Sequence, residues 1–336
     1  MRFHADCSRI VGCLAAVIMI TSLAGAQGHS TSVLVLNKDD NALAIVDPLT
    51  LKVVATVPTG VAPHEVTASD DGRWAYVSNY GGFGPNASPG RTISVIDLVL
   101  KKEVQQVDLG ALRRPHGIAF EHGEVYFTAE LNKAIARWHP GTNQVDWIMG
   151  TGQGRTHMLF PTKDLSKILT SNVDSGTISI FERSSEPSGW TATVIPVGKG
   201  PEGGSFSPDE KEFWAANSGD GTVSIVDTAS KQVVQTIDVQ TKRSNRLKFT
   251  PNGRLVLISD IGGGDVVVVD VPGRKVVKRI NVGRNAEGIL IEPDGSRAFV
   301  AASADNKVVI IDLKTLQISG EIHTGKSPDG MAWVSR

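Results

Sequence analysis

Beyond residue 30 the chain is a succession of short segments in which apolar and polar positions alternate, punctuated by Gly, Asn, Asp and Pro. A period of two marks strands with one buried face, and no later stretch sustains the 3.6-residue apolar spacing of a helix. The pattern predicts an all-β chain with almost no helix. Strands closing on Asp are expected at 42–47, 92–97, 222–227, 266–270 and 308–312, with 134–139 and 177–182 in the same place under other last residues. Another strand precedes each, as at 74–79, 124–129, 167–172, 212–217, 255–260 and 297–302. Asp71-Gly72, Asn252-Gly253 and Asp294-Gly295 are hairpin signals, since Gly after Asn or Asp readily takes positive φ. The Asp that ends a strand suits an Asx turn.

The segments recur in groups of four about every 44 residues, the period of a propeller blade. First strands starting near 64, 116, 157, 202, 245, 287 and 329 give seven blades. The seventh is divided: residues 329–334 supply its first strand and 32–37, 42–47 and 52–57 the other three. The predicted fold is a seven-bladed β-propeller of four-stranded antiparallel blades, closed when the C-terminal strand joins the N-terminal three. Closure hides edges that would otherwise pair with other chains. The segment 81–90, rich in Gly and Pro, is expected to be a loop inserted in blade one.

Tyr76-Val77-Ser78-Asn79, Trp214-Ala215-Ala216-Asn217 and the stretch Gly221-Thr222-Val223-Ser224-Ile225-Val226-Asp227 resemble the signature of the YVTN β-propeller repeat family. The resemblance covers the chain beyond residue 27 and implies the fold. It does not imply one function, because a fold of this kind serves many.

The start of the chain changes the picture of its compartment. Arg2 and Arg9 flank the beginning of an apolar run over 10–20, and Ala24-Gly25-Ala26 fits a small-x-small cleavage rule. A secretory signal over 1–26 is expected, followed by a single domain over 27–336 in the periplasm or outside the cell. The run is shorter than a membrane span, so no span is expected after cleavage. Cleavage removes Cys7 and Cys13, the only 2 Cys, which excludes disulfides and thiol chemistry in the mature chain. It also removes Arg2, Arg9 and Asp6, turning 34 basic against 35 acidic residues into 32 against 34. That balance argues against a polyanion binder driven by global charge.

Aligning the blades exposes one polar position at the start of each inner strand: His64, His116, His157, Glu202, Asn245, Glu287 and Asp329. In a propeller these positions meet at one mouth of the axial channel. Neutral imidazoles donate lone pairs, so His64, His116 and His157 are candidate ligands of a divalent cation. The bland alternative is that such residues bond backbone groups and channel water. Loops leading to the mouth carry Arg113, Arg114, Arg155, Lys199, Lys242, Arg243, Arg284 and Lys326, which suggests a basic rim and an anionic small ligand. Arg114, Arg155, Glu202, Arg246, Glu287 and Asp329 are the candidate ligand-binding residues. Nucleic acid is disfavoured, because few aromatics fall near the mouth for base stacking. Asp39, Asp40, Asp174, Asp220 and Asp305 lie in loops toward the same face and form no dense acidic calcium loop. Trp74, Trp214 and Trp333 are expected to fill space between blades, and Asn79, Asn172 and Asn217 to satisfy loop backbone.

Three functional classes stay open. The first is binding of an anionic small ligand at the mouth, with a His-held divalent metal. The second is an enzyme: Pro115-His116-Gly117-Ile118-Ala119 resembles propellers of the lactonase and virginiamycin B lyase kind, which implies His, Glu and a divalent ion at a channel mouth. The third is a scaffold that binds a protein partner across its broad face.

Overall fold

Runs of β-branched and aromatic residues bounded by turn signals become strands here, and the strands pair only with their neighbours in sequence apart from one closure. The computed structural model describes residues 1–2, 31–82, 84, 87–185 and 189–336. The expected signal segment and its cleavage site lie outside the described residues, save for residues 1–2. Seven four-stranded antiparallel sheets follow one another around an axis. Blade one runs through Pro63–Ala68, Trp74–Gly81, Pro89–Asp97 and Lys102–Asp108. The inner strands of blades two to six are Pro115–Glu121, Thr156–Pro161, Pro201–Phe206, Ser244–Phe249 and Ala286–Ile291. In blade seven Pro328–Ser335 pairs antiparallel with Thr31–Asn37, Trp333 opposite Val33, and so closes the ring as expected. Among the described residues the helical content is two single 3-10 turns, Glu130–Asn132 and Ser303–Asp305. No described helix is long and apolar enough to cross a membrane.

The core lies between blades. Second strands such as Leu255–Asp260 are buried on both faces, whereas fourth strands such as Lys52–Pro58 alternate exposed and half-buried positions. Each pair of adjacent blades shares one apolar cluster. Trp214 of blade four meets Phe249 of blade five edge-on, with ring centroids 5.3 Å apart, and Phe299 of blade six meets Trp333 of blade seven at 6.4 Å. The Asx turns form as expected: Asp97 Oδ1 accepts the N–H groups of Val99 and Leu100, both at 2.9 Å. His139 substitutes for Asp in blade two, its Nδ1 accepting the Gly141 N–H at 3.0 Å.

Two expectations change in detail. Strand pairing runs further into the 81–90 insertion than the sequence indicated, with Gly81 opposite Pro89. Gly90 permits it, since a Cβ there would stand 1.9 Å from the Asn79 carbonyl oxygen. Asn79, Asn172 and Asn217 do not serve loop backbone through their amide N–H groups. They donate to hydroxyls on the third strand of their own blade, Asn217 Nδ2 reaching Thr222 Oγ1 and Ser224 Oγ at 2.9 Å each.

Every inner strand breaks register with its neighbour at the aligned polar position, for example between Pro63 and Glu65 and between Thr156 and Met158. Such a bulge turns a side chain off the plane of the sheet, and here it turns the polar residue into the channel. A hydroxyl on the second strand fills several of the gaps. Thr128 Oγ1 accepts the Gly117 N–H at 2.9 Å and donates to the His157 carbonyl of the next blade at 2.8 Å. Ser78 reaches the His116 carbonyl at 2.6 Å in the same way, and Ser171 the Glu202 carbonyl at 2.7 Å. One residue further on, four blades carry Gly: Gly117, Gly203, Gly288 and Gly330. A Cβ at Gly288 would meet the Asp329 carbonyl oxygen at 2.1 Å, so only Gly lets adjacent inner strands approach this closely.

Candidate functional site

A cavity of about 190 Å³ opens at the channel mouth. All seven aligned polar residues line it: His64, His116, His157, Glu202, Asn245, Glu287 and Asp329. Arg155, Arg243 and Arg246 line it as well. Arg114 does not. Its guanidinium lies over the Tyr80 ring, 4.9 Å from the centroid, and Nη1 donates to Tyr80 Oη at 3.1 Å. It therefore stands behind the wall rather than in it.

The structure adds Lys38, Tyr80, Glu130 and Ile261 to the lining. Each stands one position beyond the expected end of a second strand, and in blade one the strand itself runs on through Tyr80 to Gly81. The same alignment, read one position beyond that end, gives Lys38, Tyr80, Glu130, Val173, Ser218, Ile261 and Ser303. Three polar residues in consecutive blades were thus available as a signal.

The imidazoles are close together. The rings of His116 and His157 are 3.8 Å apart at their centroids, and those of His64 and His116 5.1 Å. Among the described residues, one compact group has its ligand atoms all within 4.8 Å of one another: His116, Glu130 and His157, all buried. His64 stands beside this group, its Nδ1 2.8 Å from the Ala62 carbonyl oxygen. Glu130 Oε1 is 2.5 Å from His157 Nδ1, and Glu130 Oε2 accepts the Tyr80 hydroxyl at 2.7 Å. That arrangement fixes the His157 ring and leaves Nε2 toward the cavity, 3.5 Å from Glu202 Oε1. Among the described residues neither His157 Nε2 nor His116 Nδ1 has a hydrogen-bond partner, though both are buried.

Burial governs the ionisation of the ring. It pushes His64 down to about 4, with the Lys38 charge adding to the effect and the Asp329 carboxylate opposing it. Burial, then the neighbouring His157 and His64, push His116 well below the usual imidazole value. Both are neutral at pH 7 and keep a lone pair for a cation. Burial would raise Glu130, but the hydrogen bonds from His157 and Tyr80 outweigh it and hold the carboxyl below its usual range. Tyr80 is pushed up to about 12 by burial and by Glu130.

The other side of the mouth is built from ion pairs. Lys38 pairs with Glu287 and, at 3.2 Å, with Asp329. Burial and the Asp329 charge raise Glu287 to about 7, while Lys38, Arg246 and His64 hold Asp329 low against its burial. Arg246 crosses the channel from blade five to Glu65 of blade one, with Nε 3.1 Å from Glu65 Oε1.

The rim is less basic than its composition suggested. Arg155 pairs with Asp174 at 3.3 Å and Arg284 with Asp305 at 2.7 Å. Asp220 accepts the Lys199 N–H and Asp40 the Lys326 N–H, each at 2.7 Å. The loop carboxylates thus pin neighbouring loops. Among the described residues, the Arg243 guanidinium has no carboxylate within ion-pair distance.

Comparison with known proteins agrees with this architecture. The family model of the cytochrome D1 heme domain matches residues 207–333, less than half of the chain. No curated protein matches the chain. Among solved structures, the Pseudomonas aeruginosa periplasmic gluconolactonase superposes with a TM-score of 0.74 at 17% identity, over 91% of this chain and 99% of that one. Kuenenia stuttgartiensis hydrazine synthase gives 0.73 at 18% identity, over 84% and 92%. The dihydro-heme d1 dehydrogenase NirN in complex with DHE gives 0.64 at 14%, over 90% and 74%. At such identities the likeness is one of fold.

Proposed function

We propose that this chain is a periplasmic or secreted propeller of YVTN-type repeats that binds a small anionic ligand at its axial mouth, through a divalent cation held by His116 and His157, with Glu130 behind His157 and His64 beside them. The observation that carries the reading is the pair of buried ring nitrogens, His116 Nδ1 and His157 Nε2, on residues that line the cavity and with no hydrogen bond among the described residues. A buried polar atom without a hydrogen bond is costly, and a cation offsets that cost. The Glu130–His157 hydrogen bond is the carboxylate–imidazole contact that orients a metal-binding His and raises its basicity. Arg243 at the rim supplies positive charge to an arriving anion.

The partial match to a heme-binding family raises the question of a tetrapyrrole. The residues do not fit one. The cavity is about 190 Å³, and among the described residues Ile261 is the one aliphatic side chain in a lining of charged and polar groups. Pockets for flat, drug-sized groups run to roughly 300–1,000 Å³ with mostly apolar walls.

One observation favours a second reading, a lactone hydrolase. The Glu130–His157 contact leaves Nε2 of a carboxylate-oriented imidazole in the pocket, 3.5 Å from Glu202 Oε1. A base held in this way can take a proton from water.

One experiment serves both. Protein purified without a tag is analysed for bound metal, beside His116→Ala/His157→Ala, and each is assayed against a lactone panel with and without added metal. Metal in the parent and its loss in the double variant is expected. Equal metal content in both ends the cation reading. Turnover that disappears in Glu202→Ala would favour the enzyme.

A further inference from the structure

Beside the histidine group, three more buried polar atoms in the lining residues lack a hydrogen-bond partner among the described residues: Asn245 Oδ1, Arg246 Nη1 and Asp329 Oδ1. The parent residues are 6%, 5% and 3% exposed, and all three line the cavity. They are not left over from disorder. Asp329 is fixed through its other oxygen to Lys38, and Arg246 through Nε and Nη2 to Glu65. Each salt bridge thus leaves one fixed donor or acceptor. Asn245, next to Arg246 on the inner strand of blade five, adds an amide oxygen. A group that meets this set must both donate, to Asp329, and accept, from Arg246. A hydroxyl does both. An ammonium only donates, and it would face the charges of Lys38 and Arg246.

We infer that Asn245, Arg246 and Asp329 form a second subsite that binds a hydroxyl of the ligand whose anionic end lies at the histidine group, so the ligand class is a short hydroxycarboxylate. The anionic end rests on the cation reading above, while the hydroxyl end rests on these three residues alone. A purely solvated channel would show no preference for a hydroxyl.

The test is calorimetric titration of butanoate, 4-hydroxybutanoate and 4-aminobutanoate into the protein, with and without Zn²⁺. Binding of 4-hydroxybutanoate about tenfold tighter than the other two is expected, the scale of a hydrogen bond to a charged group. Asn245→Leu and Asp329→Ala should each erode that advantage while Zn²⁺ uptake persists. Equal affinity for the three acids, no binding of any, tighter binding of 4-aminobutanoate, or an advantage unchanged in both variants overturns the subsite. If a variant fails to fold, the ranking of the three acids in the parent protein still decides. If the parent takes up no Zn²⁺, the proposed function fails instead, and the ranking measured without metal decides the subsite.

Discussion

At the level of single residues, the ring is controlled by desolvation more than by net charge. His64 has a pKa of about 4 in the fold against 6.5 in the unfolded chain. Between these values the unfolded state binds more protons, so stability rises with pH there. The contribution is complete above pH 6.5 and is lost as pH falls toward 4, on the order of 3 kcal/mol for a group this buried. Glu287 acts in the opposite direction. Its folded pKa of about 7 lies above the usual 4.5, so its contribution is lost as pH rises from 4.5 to 7. The two partly cancel in the parent protein, which makes the difference from His64→Gln the informative quantity. In urea unfolding, the parent should lose about 3 kcal/mol more than the variant between pH 7 and pH 4. Parallel stability curves would show that His64 is not held neutral.

At the level of elements, period-two alternation and terminal Asp residues located the strands, because both signals are local. The bulges that aim the site were not legible. They depend on a hydroxyl that ties the inner strand of its own blade to the backbone of the next, as Thr128 does with Gly117 and His157, and nothing in the spacing of one strand encodes a partner in another. Glu130 escaped for a related reason, since it lies where strand gives way to turn and periodicity ends, and Tyr80 because its strand runs on past the expected end at Asn79. Arg114 was misplaced because sequence proximity to His116 says nothing about Tyr80, on which its guanidinium rests. The bulge argument has a direct consequence. Thr128→Val keeps the shape but strips the Gly117 N–H and the His157 carbonyl of their shared partner, at a cost of about 1–3 kcal/mol. It should also weaken metal uptake, since the carbonyl it releases belongs to a proposed ligand. Urea unfolding and metal titration measure the two effects. Loss of stability with unchanged metal affinity would separate the hydroxyl bridge from the site.

For the molecule as a whole, the sequence carried the decisive clue in its divided blade, a single strand near the C terminus and three strands near the N terminus. The site inherits that closure, because Asp329 comes from the last strand while its partner Lys38 follows the first. Closure by pairing, rather than by order along the chain, predicts that the order can be changed. Thr31 stands opposite Ser335 in the register, so a short Gly/Ser linker can join the ends. New termini can then open beside Gly110, at positive φ in the connection between blades one and two. Such a permutant should fold and take up metal as the parent does, whereas deletion of residues 328–336 should do neither. The deletion leaves Thr31–Asn37 as a bare apolar edge, removes Asp329 and opens the ring to association with other chains. Circular dichroism, gel filtration and metal analysis on the two proteins are sufficient to decide. A deletion variant that stays monomeric and still binds metal would mean that six blades hold the mouth together without the seventh.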